Sequence, residues 1–201
     1  MRRGSGPGEQ KRDPTGSESL AWTVRFRVMR TLVPDPPPAD FEELLERRRR
    51  ARADRHDEVW DGVLHMAPAP DLSHGQLVMQ LAAALLPGAK AAGLTISDQF
   101  NLGESRDNYR VPDLGLHRSR TGGIWIASAA LAAEVISPGD DTWDKLPFYA
   151  AHHVDELLIV DPAGQTVDWL ALDEHGDYQP LQHSGLVDLG AAQLTEQLDW
   201  P

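Results

Sequence analysis

LAAEVISPGDDTWDKLPFY (Leu131–Tyr149) is the stretch on which the fold turns. It opens as a buried-type strand, Leu131–Ser137, yet Glu134 stands inside the apolar run, and an unpaired carboxylate is costly to bury. Pro138 and Gly139 end the strand. A helix is expected over about Thr142–His153, with Pro147 either kinking it or opening its regular part. On that helix lies Lys145, one of three lysines in the chain.

Outward from this stretch the same alternation of strand and helix continues. DELLIVDP (Asp155–Pro162) reads as a second buried strand. TVDWLAL and YQPLQ bracket DEHGD as a hairpin, and AAQLTEQLDWP closes the chain with a short helix. Upstream, strands are expected at about Leu94–Leu102 and Tyr109–Leu116. DLSHGQLVMQLAAALLPGAKAAG sets Leu77, Val78, Leu81 and Leu85 on one helical face, with an end expected near Pro87-Gly88. Asp61-Gly62 between two apolar runs signals a hairpin. FEELLERRRRAR forms a helix that Asp40 can cap, with Glu43 three residues on. The order predicts an α/β domain with one central mixed sheet flanked by helices rather than a regular βαβ array.

The domain is expected over residues 40–201. Residues 1–19, rich in Gly, Ser, Pro and charge, read as a disordered tail. Residues 20–39 read as an extension with a short strand over TVRFRVM and the stiff spacer VPDPPP. At 201 residues, with 41% hydrophobic and 25% charged residues, the chain suits one full core. Absence of cysteine excludes disulfides and thiolate metal sites. The basic N-terminus lacks a following apolar region, so no signal peptide is expected. The run near Leu77–Leu86 holds Gln80 and stops at Pro87, too short to span a bilayer. These features predict a soluble cytoplasmic protein without a membrane partner.

Net charge is −12, unevenly spread. Residues 1–55 carry 13 basic against 9 acidic residues, a balance of +4; the rest carries 6 against 22, a balance of −16. An acidic body repels polyanions, which argues against a simple DNA-binding module. It argues less against an enzyme whose bound cations mask part of the charge.

Three carboxylates occupy core-like positions: Glu58 in the first hairpin strand, Asp113 in YRVPDLGL, and Glu134. Asp113 and Glu134 fall on successive strands and converge if those strands are neighbours. Converging oxygens suit a hard divalent cation such as Mg²⁺, which can polarise a phosphate and help generate hydroxide. A lysine beside the water or the developing charge would assist further.

VPDLGL, AEVISPGDDTWDKLPFYAAHHVDELLIVDP and DEVWDGVLHMAPAP…SHGQL together resemble the Uma2 family of endonucleases, also called DUF820, within the PD-(D/E)XK restriction-endonuclease-like superfamily. The resemblance covers about Asp40–Leu172. It implies a restriction-endonuclease-like fold and an endonuclease that hydrolyses phosphodiester bonds, most simply in DNA, with Mg²⁺ or Mn²⁺. By it, Asp113 and Glu134 are the motif acids and metal ligands, and Glu58 is a further acid of the catalytic and metal site. Ile136 stands where the motif lysine is expected, and Lys145 occupies the place of the lysine that such sequences carry on the following helix.

Each residue also has a plainer reading. Asp113 can be a turn residue, Lys145 a solvated helix residue, and Glu58 a hairpin-edge acid. His74 can cap a helix or contact substrate; Tyr149 can orient Lys145 or simply pack. His152 and His153 suit a helix C-terminus, Asp161 a turn, and Arg47–Arg50 a solvated helix face or a phosphate contact. The alternative to an enzyme is an inactive nuclease scaffold with an interaction or regulatory role. A small-phosphodiester hydrolase is a third reading. Nucleic acid is the expected partner, bound with the help of a divalent ion, and a homodimer would suit cutting both strands.

Overall fold

The computed structural model of the protein describes residues 30–31, 39–120, 122–139 and 141–201. The expected tail, the TVRFRVM strand and the Pro-rich spacer lie outside the described residues. In chain order the elements are β1 (Arg30–Thr31), α1 (Ala39–Ala51), β2 (Glu58–Trp60), β3 (Val63–His65), α2 (Leu72–Ala91), β4 (Thr95–Asp98), β5 (Asn101–Ser105), β6 (Asn108–Arg110), β7 (Leu114–His117), β8 (Trp125–Ile126) and β9 (Leu131–Val135). A 3₁₀ turn (Thr142–Lys145) then leads into α3 (Leu146–Ala151), followed by β10 (Glu156–Asp161), β11 (Thr166–Leu172), β12 (Tyr178–Pro180) and α4 (Ala191–Gln197).

The protein is mixed α/β, and its strands fall into two six-stranded sheets. One runs β12-β11-β10-β9-β7-β4 and is the mixed sheet expected from the sequence; β9 and β10 are parallel and the other pairs antiparallel. The second runs β1-β3-β2-β6-β5-β8, so the protein has two sheets where the sequence predicts one. Two stretches expected as single strands each cross between the sheets. Residues 94–102 break at Gln99-Phe100, so β4 pairs with β7 in one sheet and β5 with β6 and β8 in the other. Residues 109–116 break at Val111-Pro112, where proline cannot donate to a ladder.

Local chemistry explains most boundaries. Asp61 and Gly62 have φ of 48° and 82°, the paired left-handed conformation that suits a two-residue hairpin turn. Asp71 caps α2 by accepting from the His74 amide at 2.8 Å. Asp40 lies inside the first turn of α1, which begins at Ala39, and there its charge meets the helix dipole instead of capping. α2 runs through Pro87 to Ala91 instead of ending there. The lost hydrogen bond of an interior proline costs about 3 kcal/mol. Leu77, Leu81 and Leu85 are fully buried along the same helix. At about 1.5–3 kcal/mol each, they outweigh that loss. Gly88 is required by contact: a Cβ there would lie 2.1 Å from the Val187 carbonyl oxygen. Pro147 falls in the first turn of α3, where its missing N–H is no loss, so it opens the regular helix and does not kink it.

β9 is buried along its whole length and sits between β10 and β7. Its residues alternate between two cores, as strand geometry requires. Leu131, Ala133 and Val135 face the core with α2 and α4, and Ala132 faces the core with Phe148 and Tyr149 of α3. Glu134 shares the Ala132 side, which directs its carboxylate toward α3. No helix among the described residues is long and apolar enough to cross a membrane.

Candidate active site

Four elements deliver the carboxylates and the lysine to one place. Glu58 begins β2, just before the Asp61-Gly62 turn. Asp113 follows Pro112 at the entry to β7, held by its own amide, which donates to the Ala133 carbonyl at 3.0 Å. Glu134 is the fourth residue of β9 and Lys145 the last of the 3₁₀ turn. Glu58, Asp113, Glu134 and Lys145 are all buried.

Lys145 Nζ donates to Glu58 Oε1 at 2.9 Å and to Glu134 Oε1 at 3.0 Å. One ammonium thus joins acids from the two sheets. The Tyr149 hydroxyl also donates to Glu134 Oε1, so both of these partners meet the same carboxylate oxygen. Glu58 is held at both oxygens: Oε1 also accepts from the Val111 amide at 2.8 Å, and Oε2 accepts from Trp60 Nε1 at 2.7 Å. Tyr149 therefore orients Glu134, the partner of Lys145, and does so one helical turn beyond the lysine.

Asp113 stands on the other side of Glu134. Its Oδ2 accepts from the Val135 amide at 2.9 Å, and its Oδ1 lies 3.1 Å from His74 Nε2. His74 lies in the cap region expected for it, its amide capped by Asp71, and its ring also reaches a site carboxylate 39 residues away. His74 Nδ1 is buried without a hydrogen-bond partner.

These acids do not titrate like solvated ones. Burial pushes Glu134 up to about 8; Lys145 pulls it back, while the charges of Asp113 and Glu58 push it further up. Burial also raises Tyr149 well above its usual value, and the negative charges of Glu134 and Glu58 add to this. Burial acts against ionisation at Asp113 and His74 too, but their mutual bond and attraction win. Asp113 is held below, and His74 above, the ordinary value. Ionising Glu134 beside Asp113 and Glu58 is opposed by like charge, a cost that a divalent cation would relieve.

A fourth buried acid shows what a structural carboxylate looks like here. Glu156 accepts from Trp169 Nε1 and Ser184 Oγ at Oε2 and from the Gly185 amide at Oε1, all neutral donors, of which Ser184 and Gly185 tie the 183–190 loop to β10. Glu134, by contrast, is met by an ammonium and a phenol.

The remaining sequence candidates fall elsewhere. Asp161 accepts from the Ala163 amide as a turn residue does. His152 caps α3 and lies 3.1 Å from the Ala127 carbonyl through Nδ1. Arg48 is spent on Asp57, at 2.5 and 3.1 Å, and on the Ala53 and Ala67 carbonyls, whereas Arg47, Arg49 and Arg50 stay exposed. Sequence reasoning missed Trp60 and Arg110. The available signals were an indole two residues beyond Glu58 and a charged residue in the strand run three residues before Asp113.

Residues 38–199 match the model of a family described as Uma2, "Putative restriction endonuclease". Among solved structures, the fold is similar to that of a protein from Anabaena variabilis ATCC 29413 described as "a putative nuclease belonging to DUF820". The TM-score is 0.57 at 14% identity, over 70% of this chain and 90% of that chain. At that identity the likeness is one of fold. No curated protein matches the chain.

Proposed function

The chain belongs to the Uma2 family, and from that premise we propose that it is a metal-dependent endonuclease that hydrolyses phosphodiester bonds in DNA. The observation that carries this reading is the Lys145 ammonium bonded at once to Glu58 and Glu134, with Asp113 beside them.

The residues present fit Mg²⁺ or Mn²⁺ in kind. Mg²⁺ is usually held by one or two carboxylates and completed by water and substrate phosphate. Asp113 and Glu134, on neighbouring strands, supply such a pair. Among the described residues no group of three or more His, Cys, Asp and Glu is disposed to hold an ion, so water and substrate phosphate would have to supply the remaining ligands. When bound, the cation would polarise the scissile phosphate and acidify its water. Glu58 anchors Lys145 through Oε1, and its Oε2, which accepts one bond from Trp60, would be the oxygen it adds to the metal. Lys145 holds the attacking water or the developing phosphorane charge. Tyr149 fixes Glu134, and His74 fixes Asp113.

DNA is the proposed partner because the family is described as "Putative restriction endonuclease"; the exposed arginines within Arg47–Arg55 would add only a minor phosphate contact. The acidic remainder would be bridged to phosphate by the divalent ion. Two copies, each nicking one strand, would sever a duplex. A second reading, a non-catalytic scaffold, draws support from Ile136 at the usual lysine position and from its packing against the α3 core. Plasmid incubated with Mg²⁺ or Mn²⁺ should be nicked and linearised, and should stay intact with EDTA or with Asp113→Asn. Failure of wild type to cut DNA, RNA or small diesters with either metal would overturn the enzyme reading in favour of the scaffold.

A further inference from the structure

Arg110 is a buried cation with no carboxylate in hydrogen-bond contact. Its guanidinium lies between two rings, with Cζ 4.3 Å from the Trp60 ring centroid and 4.0 Å from that of Phe148. The stack extends beyond both: Trp60 lies on His65 at 4.2 Å, nearly parallel, and Phe148 meets His152 at 4.2 Å. Nη1 donates only to neutral oxygens, the Val59 and Tyr109 carbonyls and Asn108 Oδ1. Nε is buried without a partner. A buried charge held by ring faces is a costly choice unless its shape is needed.

The two rings belong to opposite arms of the site. Trp60 on β2 donates its indole N–H to Glu58 Oε2. Phe148 on α3 lies three residues beyond Lys145 and one before Tyr149, which bonds Glu134. The separation of these arms sets whether one ammonium can reach both Glu58 and Glu134, and the planar guanidinium fills that separation.

We propose that Arg110 is a positioning residue, a flat spacer clamped by Trp60 and Phe148 that fixes Lys145 between Glu58 and Glu134. It touches neither substrate nor cation. Its role rests on the catalytic reading for its effect on rate, but not for its effect on where the lysine sits. Lysine cannot replace it: an ammonium keeps the charge but presents no plane to two rings.

The chain's three lysines make this directly measurable. In full-length protein labelled at lysine side chains, three ε-methylene positions need resolving by NMR, or four in Arg110→Lys, and adding Lys145→Met to each background identifies the one at the site. In Arg110→Lys and in Phe148→Leu, the Lys145 signal should shift or broaden toward that of a solvated lysine. The Lys90 signal should stay in place. Cleavage should fall about 10²-fold in kcat with KM little changed, the scale expected when a reacting group is displaced by about 1 Å. Val187→Ala, which loosens the opposite core, serves as a control for destabilisation alone and should leave the Lys145 signal unmoved.

Arg110→Lys that stays folded with the Lys145 signal and kcat of wild type would overturn the proposal, leaving Arg110 a brace of the fold. If Arg110→Lys fails to fold, Phe148→Leu decides by the same signal, and no shift there overturns it as well. A shift in a protein whose wild type cuts nothing would uphold the positioning role while the nuclease reading fell.

Discussion

Replacing Lys145 with methionine tests the site at its centre. The change keeps most of the buried stem and removes the ammonium, with its bonds of 2.9 and 3.0 Å to Glu58 and Glu134. Breaking a buried ion pair from one side costs about 3–5 kcal/mol when the partner stays charged. Here Glu134, raised to about 8, already carries its proton near neutral pH. The unmatched charge is then mainly that of Glu58, which keeps its bonds from Trp60 and the Val111 amide. The loss at neutral pH should therefore approach that of an unsatisfied buried acceptor, about 1–3 kcal/mol, or roughly 2–10 °C in melting temperature for a chain of this size. The sign with pH follows. An acid whose pKa is raised on folding contributes least strain when protonated, and stability falls as pH climbs from its unfolded value toward its folded one. Without Lys145 that folded value moves higher still, so the two lose stability in parallel up to about pH 8, and the gap in melting temperature should widen above that, toward pH 9. Cleavage should drop about 10²-fold or more. Metal affinity by calorimetry should hold or rise slightly, because a neighbouring like charge is gone. Equal cleavage by variant and wild type would refute the catalytic role, and a gap that stays constant from pH 6 to pH 9 would refute the electrostatic account.

Three further outcomes can be checked independently. Asp113→Asn and Glu134→Gln should abolish metal binding by calorimetry and cleavage alike, while metal-free protein stays folded by circular dichroism; an unfolded variant would make that acid structural. In gel shifts with EDTA, DNA should bind weakly, and Ca²⁺ should restore binding, since the chain after residue 55 has a balance of −16. Tight binding in EDTA that vanishes on neutralising Arg47, Arg49 and Arg50 would place the affinity on α1 instead. Gly88→Ala should lower stability by about 1–3 kcal/mol through overpacking, because the new methyl meets the Val187 carbonyl; an unchanged urea midpoint would show that the 186–189 segment yields freely.

What could be read from the sequence was local, and what was hidden was distant. The Asp61-Gly62 turn, the leucine face of α2 and the anomalous acid in β9 each announce themselves within a few residues. The first sheet crossing does not, because Ile96, Phe100 and Leu102 keep one alternation through Gln99-Phe100 while the pairing partner changes; at the second the apolar phase slips by only one residue, from Tyr109 and Val111 to Leu114 and Leu116. Pro87 is hidden for the opposite reason: a strong local stop signal is overridden by core contacts, among them Ala89 two residues further on. In the site, Glu134 was conspicuous because it breaks a pattern. Trp60 and Arg110 were not, since an indole in a strand and an arginine before a proline turn look ordinary until the chain brings α3 against them. The ring of His74 reaching Asp113 spans 39 positions and left no trace in spacing.

The bond between Glu58 and Lys145 spans 87 residues, and that distance has a meaning in time. At about 5–20 residues per second of synthesis, the lysine emerges roughly 4–17 s after the glutamate. For that interval the β2 hairpin is present on the ribosome with an acid that has no cation to meet in a closed core. Early burial of Glu58 is therefore disfavoured. The bond ties the order of burial to the order of synthesis, because the hairpin acid meets its cation only once the chain has reached residue 145.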